Sequence, residues 1–203
     1  MIPAARVSVP VSGREPAETD AAARILDALA VCIARHGVGK TTVDDVATEA
    51  GCSRATLYRH HRSKSAMLEA LVAREWRRLT TELAALVDGA DSLDAALVAV
   101  LRHSSESLRA NAALSRVLEL EPELVLPYLT FDGLDATFTA VSDALEAPLQ
   151  AFVSGPHARR VAEWLTRIVL SYTVEPGDTP ALTDPDSVRR LVCDYVVPGL
   201  AKS

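Results

Sequence analysis

Aromatic side chains are scarce in this sequence of 203 residues, at 4%, whereas hydrophobic residues of all kinds reach 49%. Strand-rich folds usually contain more aromatic and β-branched residues than this. Alanine and straight-chain residues lose little conformational entropy in a helix, and alanine, leucine and valine dominate the apolar positions here. The composition therefore predicts an all-α protein.

Long apolar segments are also missing. The longest uncharged run, residues 147–158, contains two prolines and a glycine, and a membrane-spanning helix needs about 20 apolar residues. Residues 1–19 are rich in proline and are split by Arg6, unlike a secretory signal, and we expect them to form a disordered tail. The sequence therefore predicts a cytoplasmic protein with no membrane partner.

The residues that usually build metal or catalytic sites are few and scattered. Cys32, Cys52 and Cys193 are odd in number, far apart and without a CxxC pair. The five histidines are single except for His60 and His61, and adjacent helix positions do not face one ligand site. We also find no glycine-rich phosphate loop and no nucleophile elbow. We therefore expect no metal, no cofactor and no enzymatic activity.

The net charge of −6 argues against nucleic acid only if the charge is spread evenly. Residues 1–76 contain ten Lys/Arg against nine Asp/Glu, so the deficit of positive charge lies in residues 77–203. Between residues 52 and 67 there are four basic residues and no acidic one. DNA affinity depends on phosphates that are met locally by cations. The charge distribution therefore permits DNA binding by the N-terminal part.

Residues 20–66 contain the signals of a helix-turn-helix. A helical apolar pattern ends before Gly37, where a C-terminal glycine is favoured. Thr42 and Ser53 are good N-cap residues for two short helices, which are separated by Gly51. Two short helices that meet at a glycine, with a longer helix on each side, are typical of this motif.

The residues of this region also carry a family resemblance. The segment TTVDDVATEAG, followed by SRATLY and then by SK at the start of the next helix, resembles the DNA-binding domain of the TetR family. The segments EWLTRIVLSY and DYVVPGL are similar to that family but less specific. The resemblance implies an all-α regulator with a helix-turn-helix domain (residues 20–66) and an effector-binding and dimerisation domain (residues 67–203). It also implies a homodimer on a palindromic operator.

The second short helix is the predicted recognition helix. Such a helix enters the major groove with its N-terminal residues, and Arg54 there can bond guanine O6 and N7 together. Ala55 is small enough for close approach, and Lys64 adds charge to the N-terminus of its own helix. The predicted DNA-binding residues are Thr42, Ser53, Arg54, Ala55, Thr56, Tyr58, Arg59, His60 and Lys64.

The resemblance further implies an effector pocket between the helices of residues 92–152. Leucines and aromatics with a few hydroxyls suit a small apolar molecule, although the same residues could simply fill a helical core. The predicted ligand-binding residues are Leu101, Ser104, Leu108, Leu118, Tyr128, Phe131 and Phe138.

Apolar stripes on the last two predicted helices indicate a dimer interface, because a regulator of a two-fold operator needs two copies. Burial within one subunit would explain either stripe alone. The predicted interface residues are Leu165, Ile168, Val169, Tyr172, Val188, Leu191, Val192 and Tyr195.

Three functions are compatible with these observations. The favoured one is a DNA-binding repressor that a small apolar ligand releases from its operator. The second is a regulator of the same fold that has no effector or acts as an activator, and the third is a helical enzyme or scaffold. Salt-dependent binding to a palindromic duplex separates the first two from the third. Release by an effector separates the first from the second.

Overall fold

The computed structural model describes residues 16–125, 131–174, 182 and 184–200, and in these ranges it contains helices and no strand. The predicted all-α fold is confirmed. None of the helices in this part of the chain is long and apolar enough to span a membrane. The helices are α1 Pro16–Lys40, α2 Val43–Glu49, α3 Arg54–His60, α4 Lys64–Asp88, α5 Leu93–Ala110, α6 Ala112–Leu120, α7 Phe131–Leu149, α8 Pro156–Val174, α9 Pro185–Leu191 and α10 Val197–Leu200.

The chain divides into two compact units. The first unit lies within Met1–Trp76 and Asn111–Pro127, and the second within Arg77–Ala110 and Tyr128–Ser203. Helix α4 therefore begins in the first unit and ends in the second. The predicted boundary between residues 66 and 67 differs from this division in two ways. The first unit includes ten more residues of α4, 67–76, which make nearly three helical turns, and it also includes α6.

The first unit has a core to which five helices contribute. On α3 the buried residue is Leu57, which has no exposed surface and fixes the short helix against its neighbours. Burial of one leucine side chain contributes about 1.5–3 kcal/mol to folding. The core consists of Ile25, Leu26, Ala28, Leu29, Cys32, Ile33, Val46, Ala47, Leu57, Met67, Leu71 and Val117.

The predicted caps of the short helices are confirmed. Thr42 forms a capping box at the start of α2 with Asp45, and the Ser53 side chain accepts the N–H of Thr56 at the start of α3. Gly51 has a φ of 62°, which glycine adopts at little cost. A Cβ atom at this position would have no other atom within 4 Å. The turn between α2 and α3 therefore needs glycine for its backbone conformation alone.

Helix α6 belongs to the first unit because it packs on α1. Val117 is buried in the shared core, and Arg116 Nε donates to the carbonyl oxygen of Ala34 at 3.2 Å. Asn111 caps the helix by accepting the N–H of Leu114 at 3.0 Å. The apolar stripe of α6 thus completes the core that α1 begins.

The second unit has a core made by α4, α5, α7, α8 and α9. The π-helical turn Val192–Val196 continues α9. The next residue, Val197, donates its N–H to the Val192 carbonyl. The largest fully buried side chains of this unit are Val87, Leu97, Val100, Leu101, Leu145, Leu149 and Leu165.

One sequence prediction about the start of a helix needs correction. α1 begins at Pro16, so the last residues of the predicted tail 1–19 are helical, and residues 1–15 lie outside the described part. After α6 the chain forms a single 3-10 turn, Pro122–Leu124. Proline at the first position favours the start of a turn, and the residues that would extend it, 126–130, are not described.

Candidate nucleic-acid interface

The outer face of α3 is exposed and positively charged. Arg54, Ala55, Tyr58 and Arg59 are exposed, and Tyr58 shows 43% of its surface. Because Leu57 lies in the core, these four side chains form the solvent-exposed part of the helix. Tyr58 was predicted as a DNA contact, and its exposure leaves it available for one.

Arg54 is paired with a residue that sequence reasoning did not single out. Its Nε lies 3.2 Å from Asp44 Oδ1, and its NH1 donates to Asp44 Oδ2 at 3.3 Å. Both side chains are more than 60% exposed, and such surface pairs contribute little to stability. The pair therefore orients the guanidinium of Arg54 but binds it weakly. On binding DNA, the guanidinium can exchange the Asp44 carboxylate for a base.

The hydroxyl of Thr42 is occupied by its capping role. It donates to Asp45 Oδ2 at 2.7 Å and accepts the Asp45 N–H at 3.2 Å, while Asp45 Oδ2 accepts the Thr42 N–H at 2.9 Å. The hydrogen bonds from Thr42 lower the pKa of Asp45. A hydroxyl has one hydrogen to donate, so Thr42 cannot donate to a phosphate while this box is formed. The predicted hydroxyl contact of Thr42 is therefore at odds with this arrangement.

Ser53 and Thr56 share their hydroxyls at the start of α3. Ser53 Oγ accepts the Thr56 N–H at 3.1 Å, and the two side-chain oxygens lie 3.0 Å apart. Either oxygen can be the donor of that bond, which leaves one hydroxyl hydrogen of the pair for an outside acceptor. Of the two residues, Ser53 is exposed and Thr56 is half-buried.

His60 differs from its predicted role. Its Nε2 is enclosed and has no hydrogen-bond partner among the residues that the structure describes. In this conformation Nε2 is not accessible to a phosphate oxygen, so the predicted contact of His60 would need its other atoms or a change of its side-chain conformation.

Lys64 is fixed by a contact within the protein. Its ammonium donates to the carbonyl oxygen of Val38, and the side chain is half-buried. An ammonium has three hydrogens, so this bond leaves two donors for a phosphate. Lys64 can therefore still bind a phosphate as predicted, but its contact with Val38 determines where the ammonium lies. The sequence showed no sign of this contact between residues 26 positions apart.

The predicted ligand-binding residues do not all fall in one unit. Leu101, Ser104 and Phe138 are buried in the second unit, and Leu108 is half-buried there. Leu118 lies on α6 and so belongs to the first unit, because α6 packs on α1. Tyr128 and the side chain of Phe131 lie outside the described residues.

A buried hydroxyl of the second unit was missed. Ser142 on α7 has no exposed surface, and its Oγ has no hydrogen-bond partner in the described part of the chain. Its neighbours Phe138, Val141 and Leu145 form a buried stripe at helical spacing. The helical spacing of these apolar residues is visible in the sequence, and it predicts that Ser142 lies on the same buried face of the helix.

The predicted interface residues separate into two groups. One group has little or no surface to offer a partner, because its side chains already fill the core of the second unit. The other group is half-buried, apart from Tyr195, which is 76% exposed. The first group is Leu165, Val169, Val188 and Val192, for which the prediction needs correction, and the second is Ile168, Tyr172, Leu191 and Tyr195.

The three cysteines are free thiols in different environments. Cys32 is buried, Cys52 is half-buried and Cys193 is exposed. Burial, followed by the negative charges of Glu49 and Asp45, raises the pKa of Cys32. A raised pKa keeps this thiol protonated and unreactive. Among the residues that the structure describes, no three His, Cys, Asp or Glu side chains come together as a metal site.

Comparison with known proteins identifies the first unit. Residues 25–71 match the family of bacterial regulatory proteins of the tetR type. An uncharacterized HTH-type transcriptional regulator of Mycobacterium tuberculosis is 30% identical over 188 residues, which cover 88% of this chain and 84% of that protein. The predicted regulator and the predicted absence of enzymatic function agree with these relatives.

Solved structures extend the similarity to both units. The TetR family repressor AlkX of Dietzia sp. strain DQ12-45-1b superposes with a TM-score of 0.67 at 20% identity, over 94% of this chain and 98% of that one. FadR of Bacillus subtilis, solved with stearoyl-CoA, has a TM-score of 0.61 at 18% identity, over 86% of this chain and 98% of that one. At these identities the likeness concerns the fold. Together with the regulator from M. tuberculosis and the matched helix-turn-helix, it shows that the chain belongs to the TetR family of transcriptional regulators.

Proposed function

We propose that this regulator is a repressor that binds a palindromic operator as a homodimer and is released from it by a small apolar ligand. The observation that carries the DNA-binding part is the exposed face of α3. Arg54 at its first position and Arg59 further along are exposed cations on a helix that Leu57 fixes in the core. In the proposed complex, Arg54 reads a guanine while Arg59 and Lys64 meet phosphates.

The dimer proposal is supported by the apolar surface of the second unit. Tyr195 is the most exposed large apolar side chain of the described residues, and Leu191 lies one helical turn before it. Exposed aromatic residues of this kind are typical anchors of protein interfaces. Two copies joined there would present two recognition helices to the two half-sites of an operator.

The effector proposal is supported by the interior of the second unit. Ser104 and Ser142 place buried hydroxyls among leucines, valines and Phe138, which suits a mostly apolar molecule with one polar group. The neighbouring structures point the same way. FadR was solved with stearoyl-CoA, and AlkX is implicated in the biodegradation of n-alkanes.

Release requires a conformational link between ligand and DNA. A ligand can lower DNA affinity only if it binds more tightly to a conformation whose recognition helices are misaligned. We propose α4 as the lever, because it is one continuous helix that begins at Lys64 in the first unit and ends at Asp88 in the second.

The test begins with the operator and ends with the effector. Selection of random duplexes on the wild-type protein should give a two-fold symmetric sequence. On that duplex, fatty acids and alkane-like compounds, sugar phosphates and divalent metals are then compared for dissociation of the complex and for a rise in Tm. We expect at least one apolar compound to do both. Release only by a metal or a sugar phosphate would contradict the proposed ligand class, and selection without symmetry would contradict the proposed dimer.

Replacement of Ser142 by alanine should stabilise the ligand-free protein. A buried hydroxyl without a partner costs about 1–3 kcal/mol, and alanine removes it while leaving only a small cavity. We expect the free energy of unfolding to rise by about 1 kcal/mol. Urea denaturation measures this change. The matched control is Thr166→Val, since Thr166 Oγ1 is also buried but donates to the Ala162 carbonyl at 2.8 Å. A loss of stability in Ser142→Ala would show that the hydroxyl is satisfied in the folded protein.

A further inference from the structure

Glu121 connects the end of α6 to the last residues of α1, where the helix is interrupted at Gly37 by a non-helical backbone (φ 80°, ψ 171°). We call residues 37–42 the α1–α2 turn. The carboxylate of Glu121 accepts the backbone N–H of Val38 at 2.5 Å through Oε2 and that of Gly39 at 2.6 Å through Oε1. Hydrogen bonds to an ionised carboxylate are about twice as strong as neutral ones. One side chain thus binds two consecutive N–H groups of a segment 82 and 83 positions away in the chain.

Lys64 holds the same turn from the other side. Its ammonium donates to the Val38 carbonyl, which belongs to the same peptide group as the Gly39 N–H. The C=O and N–H of a trans peptide point in opposite directions, so the two side chains bind opposite edges of one plane. The positive group meets the negative end of the peptide dipole, and the negative group meets the positive end. Hydrogen bonds in such a chain strengthen one another.

Two glycines leave the space that this arrangement needs. A Cβ atom on Gly39 would lie 2.6 Å from Glu121 Oε1, and one on Gly37 would lie 2.8 Å from Oε2. Gly37 also has a φ of 80°, which disfavours other residues on conformational grounds. The need for glycine at position 39 therefore comes from the carboxylate.

The attachment of α6 does not depend on Glu121 alone. Val117 is buried against α1, and Arg116 donates to the Ala34 carbonyl. Loss of the Glu121 carboxylate would therefore remove the acceptor of two N–H groups of the α1–α2 turn while α6 stays packed and Thr41 keeps its bonds to the Gly37 carbonyl. This separates an effect on the turn from unfolding of the first unit.

We propose that Glu121 is a positioning residue for DNA binding, which sets the Lys64 ammonium through the Val38–Gly39 peptide group. The inference rests on the proposed function, in which Lys64 meets a DNA phosphate with its two remaining donors. Without the carboxylate, the Val38 and Gly39 N–H groups lose their acceptor, so the peptide group that binds the ammonium is held less firmly and Lys64 is positioned less precisely. A negative residue therefore promotes binding to a polyanion.

The sign of the effect distinguishes this proposal from simple charge repulsion. Removal of a carboxylate near DNA should tighten binding if charge alone matters. The matched control is Glu123→Ala, which removes the same charge from an exposed residue two positions further along. We expect Glu123→Ala to bind duplex DNA as tightly as the wild type or slightly more tightly, and Glu121→Ala to bind it about tenfold more weakly at low salt.

The experiment uses the full-length protein and a random-sequence duplex, because a phosphate contact does not depend on sequence. Affinity is measured over a range of salt concentrations for the wild type, Glu121→Ala, Lys64→Ala and the double variant. Each single change should lower the slope of log affinity against log salt by about one per subunit. The double variant should lose no more than Lys64→Ala alone. Equal losses from Glu121→Ala in both backgrounds, or an unchanged slope, would overturn the positioning role.

A second pair of variants tests the carboxylate without removing it. Gly39→Ala should reproduce the loss of affinity, because the new methyl group displaces Oε1. In the Glu121→Ala background, Gly39→Ala should cause no further loss of DNA affinity. Thermal melting of each variant checks that it is folded, and Glu121→Gln, which keeps one acceptor oxygen, replaces Glu121→Ala if that protein does not fold.

Different results would overturn the proposed function and the role of Glu121. A wild-type protein that binds no duplex at low salt would overturn the proposed function and this inference together. Wild-type binding with an unaltered salt slope in Glu121→Ala and Gly39→Ala would overturn the role of Glu121 and leave the proposed function standing.

Discussion

Tyr195→Glu should convert the protein from a dimer to a monomer at micromolar concentration. Tyr195 is 76% exposed in the single subunit, on the π-helical turn Val192–Val196, and the proposed interface would bury it. Truncation of such an anchor typically costs 2–4 kcal/mol, which corresponds to about a 30- to 1,000-fold weaker dimer. A carboxylate at this position adds the cost of burying an unpaired charge twice, once from each subunit.

Loss of the dimer should also abolish operator binding, because one recognition helix can engage only one half-site. Analytical ultracentrifugation gives the subunit equilibrium, and a gel shift on the selected operator gives the affinity. Tyr195→Phe keeps the ring and should remain dimeric. Val31→Glu places the same charge on another exposed apolar residue, in the first unit, and should also remain dimeric. A dimeric Tyr195→Glu protein would exclude this surface as the interface.

At the C-terminal end, the sequence predicts which residues form an apolar face but not which of them are buried in the subunit. The spacing of Val188, Leu191, Val192 and Tyr195 correctly predicts an amphipathic element, but it describes one broad apolar face. In the structure the edge formed by Val188, Val192 and Val196 is buried in the subunit, while Tyr195 is exposed. Periodicity identifies an apolar face, and tertiary packing decides which part of that face the core takes.

The helix-turn-helix was predictable because its signals are local. Thr42 and Ser53 cap helices with N–H groups three residues away, and Gly51 supplies the positive φ that the turn requires. These interactions lie within single turns of the chain, so the sequence contains all of their parts. The bounds of α2 and α3 follow from them directly.

Contacts between distant residues were not predictable. The Glu121 carboxylate meets a turn more than 80 positions earlier, and α6 joins the first unit because its stripe fits the core of α1. From the sequence alone, the apolar face of α6 could complete either core. The Arg54–Asp44 pair was missed for the same reason, since a spacing of ten residues across a turn has no fixed geometry.

Arg54→Ala should weaken binding to the operator much more than binding to a scrambled duplex. A side chain that bonds guanine O6 and N7 together contributes about 1–3 kcal/mol per base, and a dimer has two such contacts. The expected loss of operator affinity is therefore about 2–6 kcal/mol per dimer, or roughly 30-fold to more than 10,000-fold. The affinity for a random duplex should fall only by the electrostatic contribution of one positive charge per subunit.

Arg59→Ala is the matched control for this prediction. Arg59 is an exposed arginine five residues further along the same helix, beyond the N-terminal residues that reach base edges. Its loss should weaken operator and scrambled duplex by similar factors. Quantitative gel shifts at two salt concentrations measure the affinity of the wild type and of both variants for each duplex. Variant operators show at which base pair the preference is lost. Because Asp44 orients Arg54 in the free protein, the guanidinium needs only to exchange one acceptor for another on binding. Equal losses on both duplexes in Arg54→Ala would assign Arg54 to phosphate and leave base reading to another residue of α3.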